Sequence, residues 1–125
     1  MSKVAFDYLI PDWPAPTNVS AAITLRARGT SLSPYDHFNL ATHVGDNPAQ
    51  VATNRSLLRK QLDLTLEPVW LDQVHGAEVV YAPNNPSLPS ADGAYTYIVN
   101  QPCAILTADC MPVLLCNQQG TQVAA

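Results

Sequence analysis

The alternation of apolar and polar positions divides this chain into short segments, most of them too brief for helices and many bounded by proline. Pro11, Pro14 and Pro16 surround Trp13 in the opening stretch, which rules out a helix interior there and predicts an extended segment. Ala21-Ala22-Ile23-Thr24-Leu25-Arg26 reads as a strand that runs into a turn at Arg28-Gly29-Thr30-Ser31. One helix stands out. Asp46-Asn47-Pro48 joins a side-chain acceptor at the cap to a proline at the first helical position. Val51, Asn54, Leu58 and Leu62 then recur at three- and four-residue steps, which predicts a surface-lying amphipathic helix as far as Asp63. Arg59 and Lys60 sit where they favour its C-terminus.

Beyond the helix, Val69-Trp70-Leu71 and Glu78-Val79-Val80-Tyr81 read as strands flanking a connection with His75 and Gly76. A loop rich in proline and asparagine follows. Ala94 to Ile98, Ala104 to Leu106 and Pro112 to Cys116 are further predicted strands, the last apolar on both faces and therefore expected in the middle of a sheet. Asn117-Gln118-Gln119-Gly120 turns into a final strand, Thr121 to Ala125. With no repeats and no linker-like tract, residues 1–125 are expected to form one α+β domain, several short strands sandwiched by helices. The last strand reaches Val123-Ala124-Ala125 without a polar turn or breaker, so its sheet is expected to continue in a second half or on another chain.

Composition narrows the function classes. Only 13% of residues are charged against 47% apolar, well under the roughly 25% charged of an ordinary soluble domain, so part of the surface is expected to be covered. The net charge is −4 and the six lysines and arginines are scattered, which leaves no basic stripe for a phosphate backbone and makes nucleic acid an unexpected partner. Apolar runs such as Val113 to Cys116 are too short to cross a bilayer and no signal-type segment follows Met1-Ser2-Lys3, so the expectation is a cytoplasmic protein with no membrane partner. Cys103, Cys110 and Cys116 make an odd set that suits a reducing compartment; Cys103 and Cys116 read as small buried hydrophobes.

No phosphate loop, dinucleotide fingerprint, nucleophile-elbow serine or paired Cys-x-x-Cys motif is present. Two segments hold polar groups in unusual surroundings: Gln73-Val74-His75-Gly76 and Thr107-Ala108-Asp109-Cys110-Met111-Pro112. His75 lies beside a glycine that lets the backbone turn sharply or a ligand come close. Asp109, set among apolar strands, is expected to be buried and to need a donating or positive partner. Cys110 can give a soft thiolate to zinc or copper, or act as a nucleophile, and the residues alone leave both open beside an incidental histidine and a core cysteine. His43 can border a site or merely hydrogen-bond the turn before the helix cap, and His37 is expected in solvent. Arg26 can clamp a phosphate or carboxylate, or pair with Asp109.

Taken together, these segments resemble the YfiH family, also called laccase-domain or multicopper polyphenol oxidase-like proteins. The resemblance rests on Thr24-Leu25-Arg26-Ala27-Arg28-Gly29-Thr30-Ser31, Asn39-Leu40 with His43-Val44-Gly45-Asp46, Asn54-Arg55, Trp70 to Gly76, Ala91-Asp92-Gly93 and Thr107 to Val113, in that order. The family's Gly-Gly turn is Arg28-Gly29 here, and arginine enters positive φ less cheaply than glycine. The resemblance implies a layered α/β/β/α architecture and a site in which His75 and Cys110 are two of three metal positions. The third would be a histidine of a His-Ala-Gly-Trp segment expected after Ala125. Such a set with an open fourth position suits catalytic zinc, with copper as the alternative.

Resemblance further implies phosphorolysis of adenosine, inosine or methylthioadenosine, with adenosine deamination beside it. Cys110, His75 and Asp109 would be catalytic, and Arg26, Asn39 and His43 would meet substrate. The partners implied are a purine nucleoside, phosphate, a C-terminal half and a second copy in a homodimer. Two other readings remain open: a single-site copper oxidase of phenols, and a cysteine hydrolase of cell-wall precursors with Cys110 as nucleophile and His75 as base.

Overall fold

The helix forms where cap and periodicity agree. In the computed structural model, which describes residues 6–84 and 88–125, α1 spans Pro48–Gln61. The Asn47 side chain accepts from the Ala49 N–H at 2.9 Å, which satisfies one of the donors that a helix start leaves unpaired. Val51, Asn54 and Leu58 are its buried residues. The helix stops two residues before Asp63, whose φ of 54° is left-handed and ends the helical path.

Strands are shorter than the sequence predicts. The chain folds as a mixed α/β structure, with one α-helix and two sheets among the described residues, divided into two compact units. The first takes the residues up to Asp12 together with Ala21–Leu64. In it β1 (Tyr8–Leu9) pairs antiparallel with β2 (Ile23–Thr24). Phe6, fully buried, stacks on Phe38 with ring centroids 4.3 Å apart. Gly29 is required here because a Cβ would run into the backbone of His37 and Phe38. That backbone is drawn in by hydrogen bonds from His37 and Phe38 N–H to the Arg26 carbonyl, at 3.1 and 2.9 Å. Arg28 adopts φ of 70°, the left-handed conformation that its place in the turn demands, and pairs with Asp7 at 3.2 Å on the surface.

The second unit takes Trp13–Ser20 and Thr65–Ala125. Its four-stranded sheet has the order β3 (Val79–Tyr81), β4 (Gly93–Thr96), β6 (Val123–Ala124), β5 (Leu115–Cys116). β3 and β4 are parallel; β4, β6 and β5 are antiparallel neighbours. Leu71, Ala82, Ala91 and Ala94 form the core, with Val69, Val80, Cys103 and Ile105 packed against it. Two isolated parallel bridges, Val69 with Cys103 and Asp72 with Ser90, replace the strands expected around Trp70 and Ile105. Part of the proline-rich loop lies outside the described residues, and Ala82–Asn84 is a turn of 3-10 helix.

The expected central position of Pro112 to Cys116 is corrected. Among the described residues β5 is the outer strand of its sheet, and Val113 and Leu115 are 56% and 60% exposed. An unbroken apolar run satisfies a strand buried on both sides, but an edge exposed on one side can carry it as well, so the pattern alone does not fix position in the sheet.

Candidate functional site

The first unit organises its polar residues around one buried amide. Asn54 is wholly buried. Its Oδ1 accepts from the Thr30 N–H at 2.9 Å and the Thr30 hydroxyl at 3.0 Å. Its Nδ2 donates to Ser31 Oγ at 3.0 Å and to the Asn39 and His37 carbonyls at 2.8 and 3.3 Å. Asp46 completes the net by accepting from the Ser31 hydroxyl at 2.6 Å and from Asn39 Nδ2 at 3.1 Å. The Ser31 hydroxyl is the chief reason that the Asp46 carboxyl is held below the ordinary carboxylate range, against an opposing effect of partial burial.

Of the three residues expected to meet substrate, Asn39 has its side chain committed locally. Besides Asp46 it donates to the Ala41 carbonyl at 3.1 Å and accepts from the Ala41 N–H at 3.1 Å. His43 is exposed on the loop that the Tyr35 hydroxyl fastens through the Val44 carbonyl at 2.7 Å. Arg26 is exposed, and its Nε donates to the Asp36 carbonyl. His37 is exposed as expected.

In the second unit the two chemistry-bearing segments begin side by side. The Gln73 side chain donates to the Leu106 carbonyl at 2.8 Å and accepts the Leu106 N–H at 2.7 Å. With the parallel bridge of Val69 and Cys103, that two-point clasp fixes the stretches leading to His75 and to Thr107-Ala108-Asp109-Cys110 in common register. In α/β structures, ligands gather at loops leaving neighbouring parallel strands at their carboxyl ends. His75, Asp109 and Cys110 are all exposed.

Two expectations are corrected here. Asp109 is exposed rather than buried, because the segment after Leu106 leaves the core as a loop, and an exposed carboxylate does not need the partner that burial would have required. Gly76 does not supply the sharp turn: His75 itself adopts the left-handed conformation, with φ of 59°, and a Cβ on Gly76 would meet nothing closer than Asp92 Oδ2 at 3.5 Å.

A carboxylate accompanies that unusual turn. Asp92 Oδ1 accepts the His75 N–H at 2.8 Å, and Oδ2 accepts those of Gly76 at 2.8 Å and Val74 at 3.3 Å. The Gly76 donor contributes most, then His75 and Val74, and together they hold the Asp92 carboxyl below its ordinary value despite partial burial. Sequence reasoning quoted Gln73 and Asp92 inside motifs and gave neither a role. No local signal marked either, because the groups they bond lie 16 to 33 positions away along the chain.

The donor chemistry at His75 and Cys110, an imidazole and a thiol, suits zinc or copper. Among the described residues no group of three or more His, Cys, Asp or Glu is placed to hold a metal ion. An imidazole and a thiol alone would leave the coordination of such an ion incomplete. Cys103 is different in kind: burial pushes its thiol up to about 11, which leaves it a protonated, packed side chain at neutral pH.

Comparison with known proteins agrees with these features. Residues 20–125 match the family described as multi-copper polyphenol oxidoreductase laccase. The chain is 46% identical, over its whole length, to proteins of Escherichia coli K12 and Shigella flexneri named purine nucleoside phosphorylase YfiH, and covers 50% of each. A Pseudomonas aeruginosa purine nucleoside phosphorylase is 46% identical over 94% of the chain, which covers 48% of it. The chain thus spans about half the length of the curated relatives it matches. Among solved structures, a Neisseria meningitidis protein superposes with a TM-score of 0.84 at 43% identity, over 94% of this chain and 48% of the other. YlmD from Geobacillus stearothermophilus gives 0.83 at 27%, over 98% and 51%.

Proposed function

We propose, from the premise that the chain belongs to the laccase-domain (YfiH) family, that it is the N-terminal half of a metal-dependent purine nucleoside phosphorylase. The observation that carries this reading is the Gln73 clasp on Leu106, which starts the His75 and Cys110 segments from adjacent backbone in a unit whose relatives are named purine nucleoside phosphorylases. His75 and Cys110 would hold zinc, with copper the second candidate, and the remaining half of the protein would contribute the third ligand. Bound metal would supply a Lewis acid that polarises an oxygen or activates water.

The chain's own residues divide the rest of the work. Arg26, with its guanidinium exposed, would bind an anionic oxygen of phosphate. His43 and Asn39 would border the nucleoside, His43 from an exposed loop tip and Asn39 through the loop it shapes. Asp109 would orient a neighbouring ligand or base from solvent-exposed loop geometry. Adenosine deamination belongs to the same reading as a second reaction of that site. A cytoplasmic location fits the three thiols, none of which is in a disulfide, and no helix among the described residues is long and apolar enough to cross a membrane.

The test is phosphate-dependent release of purine base from adenosine and inosine, with metal content and alkylation of Cys110 measured in parallel. Stoichiometric zinc that shields Cys110, together with loss of both metal and phosphorolysis in Cys110→Ala and His75→Ala, is the expected result. A metal-free, rapidly alkylated Cys110 with no phosphorolysis would replace this reading with the cysteine hydrolase. Phenol oxidation by a single bound copper without base release would replace it with the oxidase.

A further inference from the structure

We propose that Asp92 is a positioning residue for His75: its carboxylate gathers the three consecutive amides of the 74–76 turn and so holds the imidazole-bearing residue in a backbone conformation it would otherwise leave. This rests on the reading of His75 as a metal ligand and deepens it.

Topology puts the carboxylate inside an arch. The chain leaves the 89–96 segment at Asp72, which bridges to Ser90, and rejoins it at Val79, which pairs with Gly93. Residues 73–78 form the span between, and Asp92 stands on the segment they span. Its own N–H donates to the Glu78 carbonyl at 3.0 Å, while its side chain takes the N–H groups of Val74, His75 and Gly76. Three successive amides converging on one point form a concavity suited to an anion. Here the chain supplies that anion.

The need for it follows from His75. A non-glycine residue at φ of 59° sits in a sparsely populated region and is retained only where its surroundings determine it. Val74, His75, Gly76, Ala77 and Glu78 are all exposed, so packing does little to fix the turn. Hydrogen bonds must do it, and the carboxylate of Asp92 accepts three of them. Gln73 holds the stem of the loop and Asp92 its tip. The hydrogen bonds that Asp92 accepts from this turn come from its main chain, so the carboxylate positions His75 chiefly through the backbone.

The experiment compares wild type, Asp92→Ala, Asp92→Asn and His75→Ala in the purified full-length protein, using zinc itself as the probe in competition with a chromophoric chelator. Amide hydrogen exchange at residues 74–76 is followed in the metal-free protein, and thermal unfolding verifies the fold. We expect Asp92→Ala to speed exchange at Val74, His75 and Gly76 and to weaken zinc binding by about tenfold, as loss of a supporting group around a ligand typically does. Asp92→Asn, which keeps an acceptor at Oδ1, should fall between. Wild-type exchange and wild-type zinc affinity in both Asp92 variants, with zinc lost in His75→Ala, would overturn the inference and leave the metal reading standing. Wild-type zinc affinity in His75→Ala would overturn the metal reading and this inference with it.

Discussion

Replacing Asn54 with alanine tests the frame on which the first unit is built. The amide is wholly buried and makes five hydrogen bonds, two accepted from Thr30 and three donated to Ser31 and the carbonyls of His37 and Asn39. A hydrogen bond contributes a net ~1 kcal/mol, and stranding a buried partner costs about 1–3 kcal/mol. Not every partner is stranded. Ser31 Oγ keeps its bond to Asp46, and the Thr30 hydroxyl can turn to the Gln50 carbonyl at 3.3 Å. The Thr30 N–H and the Asn39 carbonyl lose the bonds described here, and a cavity the size of an amide is left between α1 and the turn. Two stranded groups at roughly 1.5 kcal/mol each give about 3 kcal/mol, or on the order of 10 °C in Tm for a domain of this size. Urea unfolding of the variant, followed by circular dichroism, measures it. A loss under about 1 kcal/mol would show that water or a relaxed backbone replaces the amide and that the net is not the frame described here.

Further outcomes follow from single features. Gly29→Ala should destabilise by about 2 kcal/mol or more, because the added Cβ meets the His37 and Phe38 backbone. Gly76→Ala should stay within about 0.5 kcal/mol in thermal melts, since its Cβ would find ordinary contact distances. Asp46 has a folded carboxyl held below its unfolded value, chiefly by the Ser31 hydroxyl; the stability it contributes is present above the unfolded pKa of about 3.9 and is lost as pH falls through the folded value. Asp46→Asn should therefore flatten the acid limb of a stability–pH curve, and an unchanged limb would refute the assignment. Cys103, with its thiol pushed up to about 11 by burial, should resist iodoacetamide at pH 7.5 in folded metal-free protein while exposed Cys110 is labelled, as peptide mass spectrometry can read.

How much of this was legible in the sequence depends on whether the deciding interaction is local. The helix was legible because Asn47-Pro48 and the spacing of Val51, Asn54 and Leu58 act within a few residues. Asn54 itself was a readable anomaly, a polar residue on an apolar stripe, and its burial means that partners from elsewhere in the chain had to satisfy it. The position of β5 was not legible, because an apolar run states what a strand tolerates and not which neighbours it gets. The family motifs named His75 and Cys110, but the clasp of Gln73 on Leu106 and the hold of Asp92 on three amides join residues 33 and 16 to 18 positions apart. No spacing rule reaches that far.

The turn at His75-Gly76 shows the same limit at its smallest scale. A His-Gly pair invites the inference that glycine makes the turn and histidine merely rides on it, since glycine alone enters positive φ without cost. The fold reverses the roles: His75 takes the left-handed conformation and Gly76 does not. What permits the reversal is an acceptor on the residue just before β4, so the cost of a strained histidine is met by three hydrogen bonds to Asp92. A turn made by glycine would be free to relax. One made by a strained residue and closed by a distant carboxylate is held in one arrangement while that carboxylate stays in place, and if His75 is the metal ligand proposed above, it would gain affinity from being held there before the metal arrives.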